Sequence, residues 1–168
     1  AGFNTVDLTK LTDTSQGLTI ILMLIGGAPG STAGGFKVTT IALIYLAIRS
    51  AFHHCENIPA FDRQIPNTTL RPAVVILSLY LGAFLIGGTL ISIIDSVPLW
   101  PCLFETASAL GTVGLSLGIT SGLSWISKLI LIMLMYFGRV GMLTLIYALP
   151  ASKDMQLSHY PTEDVTVG

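Results

Sequence analysis

Charge is what this chain has least of. Of its 168 residues, eight are Lys or Arg and nine are Asp or Glu, 10% together, where a soluble domain carries roughly 25%. With 52% hydrophobic residues and a mean hydropathy of +0.77, the chain reads as an integral membrane protein whose first partner is the lipid bilayer. The basic residues are scattered and the net charge is −1, so no basic stripe faces a phosphate backbone and no nucleic-acid partner is expected. Cysteine is scarce too. Cys55 and Cys102 form no CxxC pair and no metal-ligand spacing; they are expected in loops on opposite sides of the membrane, as two unpaired thiols. A starting methionine and a signal peptide are missing. The chain opens on AGFNT, and it is expected to be a piece of a longer polypeptide whose N-terminal half is a necessary partner.

What the sequence does have is long apolar runs. Residues 69–95, TLRPAVVILSLYLGAFLIGGTLISIID, hold about 23 apolar or small residues without a charge, enough to cross a ~30 Å hydrocarbon core. Residues 123–149 make a second span with one deep charge, Arg139, beside glycines. A third region, residues 14–52, is too long for one straight span. It consists of two apolar halves around GGAPGSTAGGFKVTT, residues 26–40.

That stretch has three readings. A phosphate-binding loop needs G-x-x-x-x-G-K-[ST] between a strand and a helix; here Phe36 separates Gly35 from Lys37 and the flanks are membrane segments. A surface turn explains the glycines but not so long a polar stretch between matched apolar halves. An intramembrane loop lining an aqueous path explains both, because non-helical backbone at membrane depth is tolerated beside water or inside protein. Glycine allows the close approach, and Ser31 and Thr32 are placed to satisfy freed backbone groups.

Residues 96–122 lie between the two clean spans. Pro98, Trp100 and Pro101 mark an interfacial turn, residues 102–111 read as a helix too short to cross, and Gly, Thr, Val and Gly follow. This is the pattern of a re-entrant pore loop. Glu105 stands early in the short helix, where a carboxylate suits the positive end of the dipole. Arg49, Arg63, Arg71 and Lys153 place the loop 53–71 and the tail in the cytoplasm. His53, His54 and His159 then fall in cytoplasmic loops as solvated side chains, and no base stands near a serine for covalent catalysis. The chain is not expected to be an enzyme.

Shifted by 112 positions, the sequence aligns with itself without a gap. Gly2 meets Gly114, Leu11 meets Leu123, Ser15 meets Ser127, and Ile20, Leu22, Met23 and Gly26 meet Ile132, Leu134, Met135 and Gly138. The unit is span, re-entrant loop, span. Residues 1–52 are the end of one copy, with the intramembrane loop at 26–37; 53–69 are a linker; 70–149 are a whole copy; 150–168 are a tail. Arg139 falls opposite Gly27. Internal repeats and interrupted helices point to a transport pathway. The expected class is an all-α membrane protein of repeated helix–pore loop–helix units, like a potassium-channel pore, with one broken helix.

GGAPGSTAGGFKVTT resembles the intramembrane loop of the Trk/Ktr/HKT superfamily of potassium transporters. AGFNTVD and ETASALGTVGLSLGIT resemble that family's third and fourth pore loops, and GRVGMLTL its last inner helix. The match is closest to the bacterial Ktr channel subunit of the KtrB type. The family has four repeats in one polypeptide, and this chain holds about one and a half. The resemblance implies a potassium filter through Ala1, Gly2, Phe3 and Asn4 in one loop and Thr112, Val113, Gly114 and Leu115 in the other, with backbone carbonyls replacing the ion's hydration shell. It implies a gate beneath the filter built from Gly26, Gly27, Ala28, Pro29, Gly30, Ser31, Thr32, Ala33, Gly34 and Gly35, contacted by Arg139. Potassium is the ion and only the filter residues hold it. The partners implied are a second copy, as a homodimer, and a cytoplasmic nucleotide-binding regulatory subunit that carries any nucleotide. The place implied is the bacterial inner membrane, crossed several times.

Two side chains keep alternatives. Arg139 is either a structural donor to carbonyls of the broken helix or a cation-repelling gate element. Lys37 is either part of the gate or a side chain reaching to the cytoplasmic interface, the reading slightly favoured. Two other functions compete with a channel: a secondary transporter with its substrate at the broken helix, and a fragment with no activity alone.

Overall fold

In the computed structural model, residues 2–53, 58–60, 63–66 and 69–141 are described. The inner-helix end at 142–149, the tail 150–168, Ala1, His54, Cys55 and His159 lie outside the described residues. Five α-helices carry the fold: α1 (Asp13–Leu24), α2 (Val38–Phe52), α3 (Leu70–Asp95), α4 (Leu99–Gly111) and α5 (Trp125–Val140). A small antiparallel pair, β1 (Ile58–Ala60) and β2 (Arg63–Ile65), joins α2 to α3. Among the described residues one helix, α3, is long and apolar enough to cross a membrane by itself. The helices α1 and α2, of 12 and 15 residues, span only about 18 and 22 Å at 1.5 Å per residue.

The short helix α4 is the centre. It packs against α1, α3 and α5, and every residue from Phe104 to Gly111 is buried. It starts earlier than expected, at Leu99 with Pro98 as its N-cap. Pro101 sits in the first turn, where a missing N–H leaves no broken bond. Two expectations change with that start. Cys102 stands inside the helix, fully buried and free, instead of in a loop. Glu105 stands mid-helix, away from the positive N-terminus, so the dipole does not account for it.

The neighbours present matching stripes. In α5 the buried residues are Ser127, Leu131, Leu134 and Gly138, one face of a 3.6-residue period. In α3 they include Tyr80, Phe84, Gly87, Gly88 and Ile91. Gly87 and Gly88 form a notch: a Cβ on Gly87 would lie 2.7 Å from Leu134 Cδ1, and one on Gly88 would lie 2.6 Å from Leu103 Cδ2. The opposite faces keep Leu85, Ile86, Ile93, Ile132, Met133 and Tyr136 exposed, as suits helices that meet lipid or further membrane helices.

Two polar links stand at helix ends. The buried Gln16 accepts a hydrogen bond from Trp100 Nε1 at 2.9 Å and donates to Leu11 O at 3.2 Å, tying α1 to the start of α4. Asp95, the last residue of α3, accepts the Ser124 N–H at 3.2 Å on both carboxylate oxygens, so a negative charge sits at the N-terminus of α5.

The 112-residue offset recurs in three dimensions. Gly2 and Gly114 both have positive φ, 71° and 85°. The 3-10 turns Leu8–Lys10 and Thr120–Gly122 correspond, as do the starts of α1 and α5. Thr12 and Ser124 are equivalent N-caps, accepting from Ser15 N and Ser127 N at 3.4 Å each. Turns, caps and helix starts therefore match at this offset.

Gly138 tests the packing. A Cβ there would overlap Leu110 O, whereas one on Gly82 of α3 meets nothing within 4 Å. In the full-length protein, Gly138→Ala should lower thermal stability in detergent by about 1–3 kcal/mol through overpacking. Gly82→Ala should leave stability unchanged or raise it by about 0.5–1 kcal/mol through helix propensity. Equal effects from the two would refute this packing.

Candidate functional site: a buried helix end, a glycine-rich loop and an extended segment

Helix α4 ends at a crowded node. Thr112 follows it in the left-handed region, at φ 52° and ψ 38°. The N–H of Thr112 bonds to Ala109 O at 3.1 Å and that of Val113 to Ser108 O at 3.0 Å, the paired bonds of a Schellman cap. Glycine is the usual residue at this position because an L side chain there costs about 1–2 kcal/mol. Thr112 has a use for its side chain: Oγ1 accepts the Gly34 N–H at 2.9 Å. One more orphan carbonyl of the helix, Leu110 O, accepts the Gly35 N–H at 3.0 Å. The glycine-rich loop therefore caps the C-terminal end of α4.

The approach is possible only without side chains. A Cβ on Gly34 would lie 2.6 Å from Leu110 O and 2.8 Å from Thr112 Cγ2; one on Gly111 would overlap Met23 O. Gly138 of α5 reaches the same Leu110 carbonyl from another side. The loop and Gly138 thus stand at one level, as their places in the repeat imply.

The loop itself is closed at its neck. Gly26 N donates to Phe36 O at 2.8 Å, Phe36 N to Leu24 O at 3.2 Å and Val38 N to Gly27 O at 3.3 Å, a parallel bridge between Ile25 and Phe36. Phe36 is buried and meets Tyr80 of α3 edge-on, ring centres 6.2 Å apart. The tip, Ala28 to Thr32, is exposed and turns through Ser31 N to Ala28 O at 3.0 Å. Ser31 Oγ accepts the Ala33 N–H at 3.2 Å. Lys37 turns back onto the loop. Its Nζ donates to Ala33 O at 2.7 Å and Ser31 O at 3.2 Å, holding loop carbonyls that Thr32 was expected to help satisfy. Arg139 is exposed in the last turn of α5, and it makes no hydrogen bond to the loop among the described residues.

The segments that carry the expected filter residues lie side by side. A Cβ on Gly2 would overlap Gly114 O, so the two left-handed glycines of the repeat touch. Phe3 is 94% exposed, and Asn4 Nδ2 bonds locally to Val6 O at 2.8 Å. Val113 and Leu115 are half-buried against the core. A cavity of about 420 Å³ is lined by Thr112, Val113 and Gly114 together with Glu105, Ser108 and Met135 among others.

Glu105 is the residue that sequence reasoning misjudged. It is 5% exposed. Its Oε1 accepts from Ser116 Oγ at 2.5 Å and its Oε2 from Thr120 Oγ1 at 3.0 Å. A carboxylate inside a short apolar membrane helix, followed by hydroxyls 11 and 15 residues on, was the signal available.

Comparisons with known proteins agree with this architecture. The family model "TrkH: Cation transport protein" matches residues 1–156. The Ktr system potassium uptake protein B of Vibrio alginolyticus is 38% identical over 171 residues, covering 100% of this chain and 37% of its own length. The Ktr system potassium uptake protein D of Bacillus subtilis is 37% identical over 169 residues, covering 99% of this chain and 37% of its own. The potassium/sodium uptake protein NtpJ of Enterococcus hirae is 33% identical over 174 residues, covering 100% and 39%. The chain therefore spans less than two fifths of the length of these relatives. A broken helix docked on a short buried helix, a gapless internal repeat and a family match over nearly every residue lead to one conclusion: this chain belongs to the TrkH family of cation transport proteins.

Proposed function

We propose that the chain forms the last part of a potassium uptake pathway, in which Gly2 to Asn4 and Thr112 to Leu115, with Ala1, line a filter and the loop Gly26 to Gly35 gates it. The observation that carries this reading is the docking of the loop on the filter-bearing helix end through Gly34 N–Thr112 Oγ1 and Gly35 N–Leu110 O. One residue, Thr112, both begins the filter segment and holds the loop. The adjacent left-handed glycines, Gly2 and Gly114, support backbone carbonyls as the ion's ligands. The C-terminal end of α4 adds a partly negative dipole that favours a cation. Potassium is the transported ion and needs no other cofactor from this chain. The role assigned is transport, with no catalysis.

The pathway needs more than these residues. Two loops of four cannot close a ring, so the rest of the polypeptide supplies the others. The membrane is the bacterial inner membrane, crossed several times. A homodimer and a cytoplasmic nucleotide-binding subunit complete the assembly, in line with relatives named as parts of a Ktr system. Arg139, beside Gly138 at the level of the loop, raises the barrier to cations while the loop is docked, and Lys37 keeps the loop compact.

Potassium and sodium flux into liposomes holding the full-length transporter tests both parts. Deleting residues 28–34 should raise potassium flux about tenfold, since it removes the Gly34 bond to Thr112 and the loop that carries Gly35 to Leu110 O, each bond worth about 1 kcal/mol. Unchanged flux would leave the loop structural. Gly114→Ala should abolish potassium flux, or cut it at least about tenfold, because a side chain at φ 85° costs about 1–2 kcal/mol. Flux and potassium-over-sodium ratio both untouched by that change would refute the filter.

A further inference from the structure

We infer that Glu105 is a positioning residue for ion selection: its buried carboxylate fixes the segment that follows the filter glycine by holding Ser116 and Thr120. This rests on the filter reading above and goes beyond it, because Glu105 belongs neither to the filter nor to the gate.

The segment after Thr112 is neither helix nor strand up to the turn at Thr120. The backbone bonds that anchor its start come from Thr112 and Val113, and those lie at the helix cap. Further along, the fixed points are side chains. Ser116 Oγ donates to Glu105 and accepts the Gly118 N–H at 2.8 Å. Thr120 Oγ1 donates to the other carboxylate oxygen and lies 3.0 Å from Ser116 Oγ. The carboxylate and the two hydroxyls, each giving its one proton to it, close a ring through the chain between Ser116 and Thr120, and the Gly118 N–H adds a bond to Ser116 Oγ. Hydrogen bonds to an ionised acceptor are about twice as strong as neutral ones, and a buried carboxylate left without donors is costly. No Lys or Arg lies within ion-pair distance of Glu105 among the described residues, so the hydroxyls are what hold it. A filter that replaces water with carbonyls discriminates ions only if those carbonyls keep their spacing. This ring is the brace nearest to Gly114 on its C-terminal side.

The closed ring makes distinct demands on each substitution. Glu105→Gln keeps the length and an acceptor for Ser116, while Thr120 can turn its hydroxyl to accept from the amide. Glu105→Asp keeps the charge but falls one methylene short. Ser116→Ala and Thr120→Val remove the partners and leave Glu105 in place. The measurement is the potassium-over-sodium flux ratio, with the concentration dependence of potassium uptake, for the full-length transporter in liposomes. Glu105→Asp, Ser116→Ala and Thr120→Val should each lower the ratio about tenfold, the scale of one charge-assisted bond, and raise the KM for potassium. Glu105→Gln should stay within about threefold of the parent, since it rebuilds the ring with neutral bonds. Loss of selectivity in Glu105→Gln beside a parent-like ratio in Glu105→Asp would show that charge, not position, matters, and would overturn the inference. So would parent-like ratios in Ser116→Ala and Thr120→Val. Absence of potassium flux in the parent would instead strike the filter reading itself, which separates the two failures.

Discussion

The fold depends on how three chain segments reach the end of one buried helix. Leu110 O accepts the Gly35 N–H, a Cβ on Gly138 would overlap that same carbonyl, and Gly111 presses on Met23 O. A helix of 13 residues cannot cross a bilayer, so its C-terminal carbonyls must find donors inside the protein. Thr112 and Val113 supply two through the Schellman bonds and the loop supplies a third. The glycines follow from that need, since backbone can donate to backbone at this density only where no Cβ intervenes. The notch at Gly87 and Gly88 then lets α3 take the other face of α4.

The repeat explains why a half-copy and a whole copy fit together without many polar contacts. Equivalent caps at Thr12 and Ser124, and equivalent left-handed glycines at Gly2 and Gly114, mean that one solution for turning extended backbone into a helix is used twice. The copies part at Gly26 and Gly138. The second helix runs through Gly138 to Val140; the first already ends at Leu24, two residues before Gly26. Both glycines take a carbonyl where a Cβ would be, Gly34 O in one case and Leu110 O in the other. The loop in the first copy fills, from its own chain, the kind of space that α4 fills in the second.

Much of this was legible in the sequence because it is written in local patterns. The span 70–95 shows in composition, the break at 26–37 in glycine and polarity, and the repeat in a constant offset. The KtrB-like motifs placed the family. What could not be read depends on partners far along the chain. The bond between Gly34 and Thr112 joins residues 78 apart, and nothing local marks either one as its end. A helix read from Cys102 puts Glu105 at its N-terminus; the helix starts at Leu99, after Pro98 and with Pro101 in its first turn, so Glu105 stands mid-helix and meets Ser116 and Thr120. The sequence leaves Lys37 between the gate and the cytoplasmic interface, and slightly favours the interface because long basic side chains there reach for water. The loop offered it carbonyls at shorter range.

The same contacts decide what kind of movement the loop can make. Its neck is zipped by three backbone bonds and anchored by Phe36 against Tyr80, and its interior is held by Lys37 and Ser31. Its attachment to α4 is two bonds, one of them to a side chain. Unwinding α1 or α2 would break many bonds at once, whereas releasing the two docking bonds costs on the order of 1–3 kcal/mol. Under the proposed gating, the loop therefore moves as a unit about a fixed neck. An energy difference of that size is within the differential affinity a bound partner can supply. Thr112 is where that displacement is felt, because losing Gly34 frees a hydroxyl on a residue held in the left-handed region at a cost. Under the proposal, gate and filter are coupled through this one side chain, with no need for a longer path.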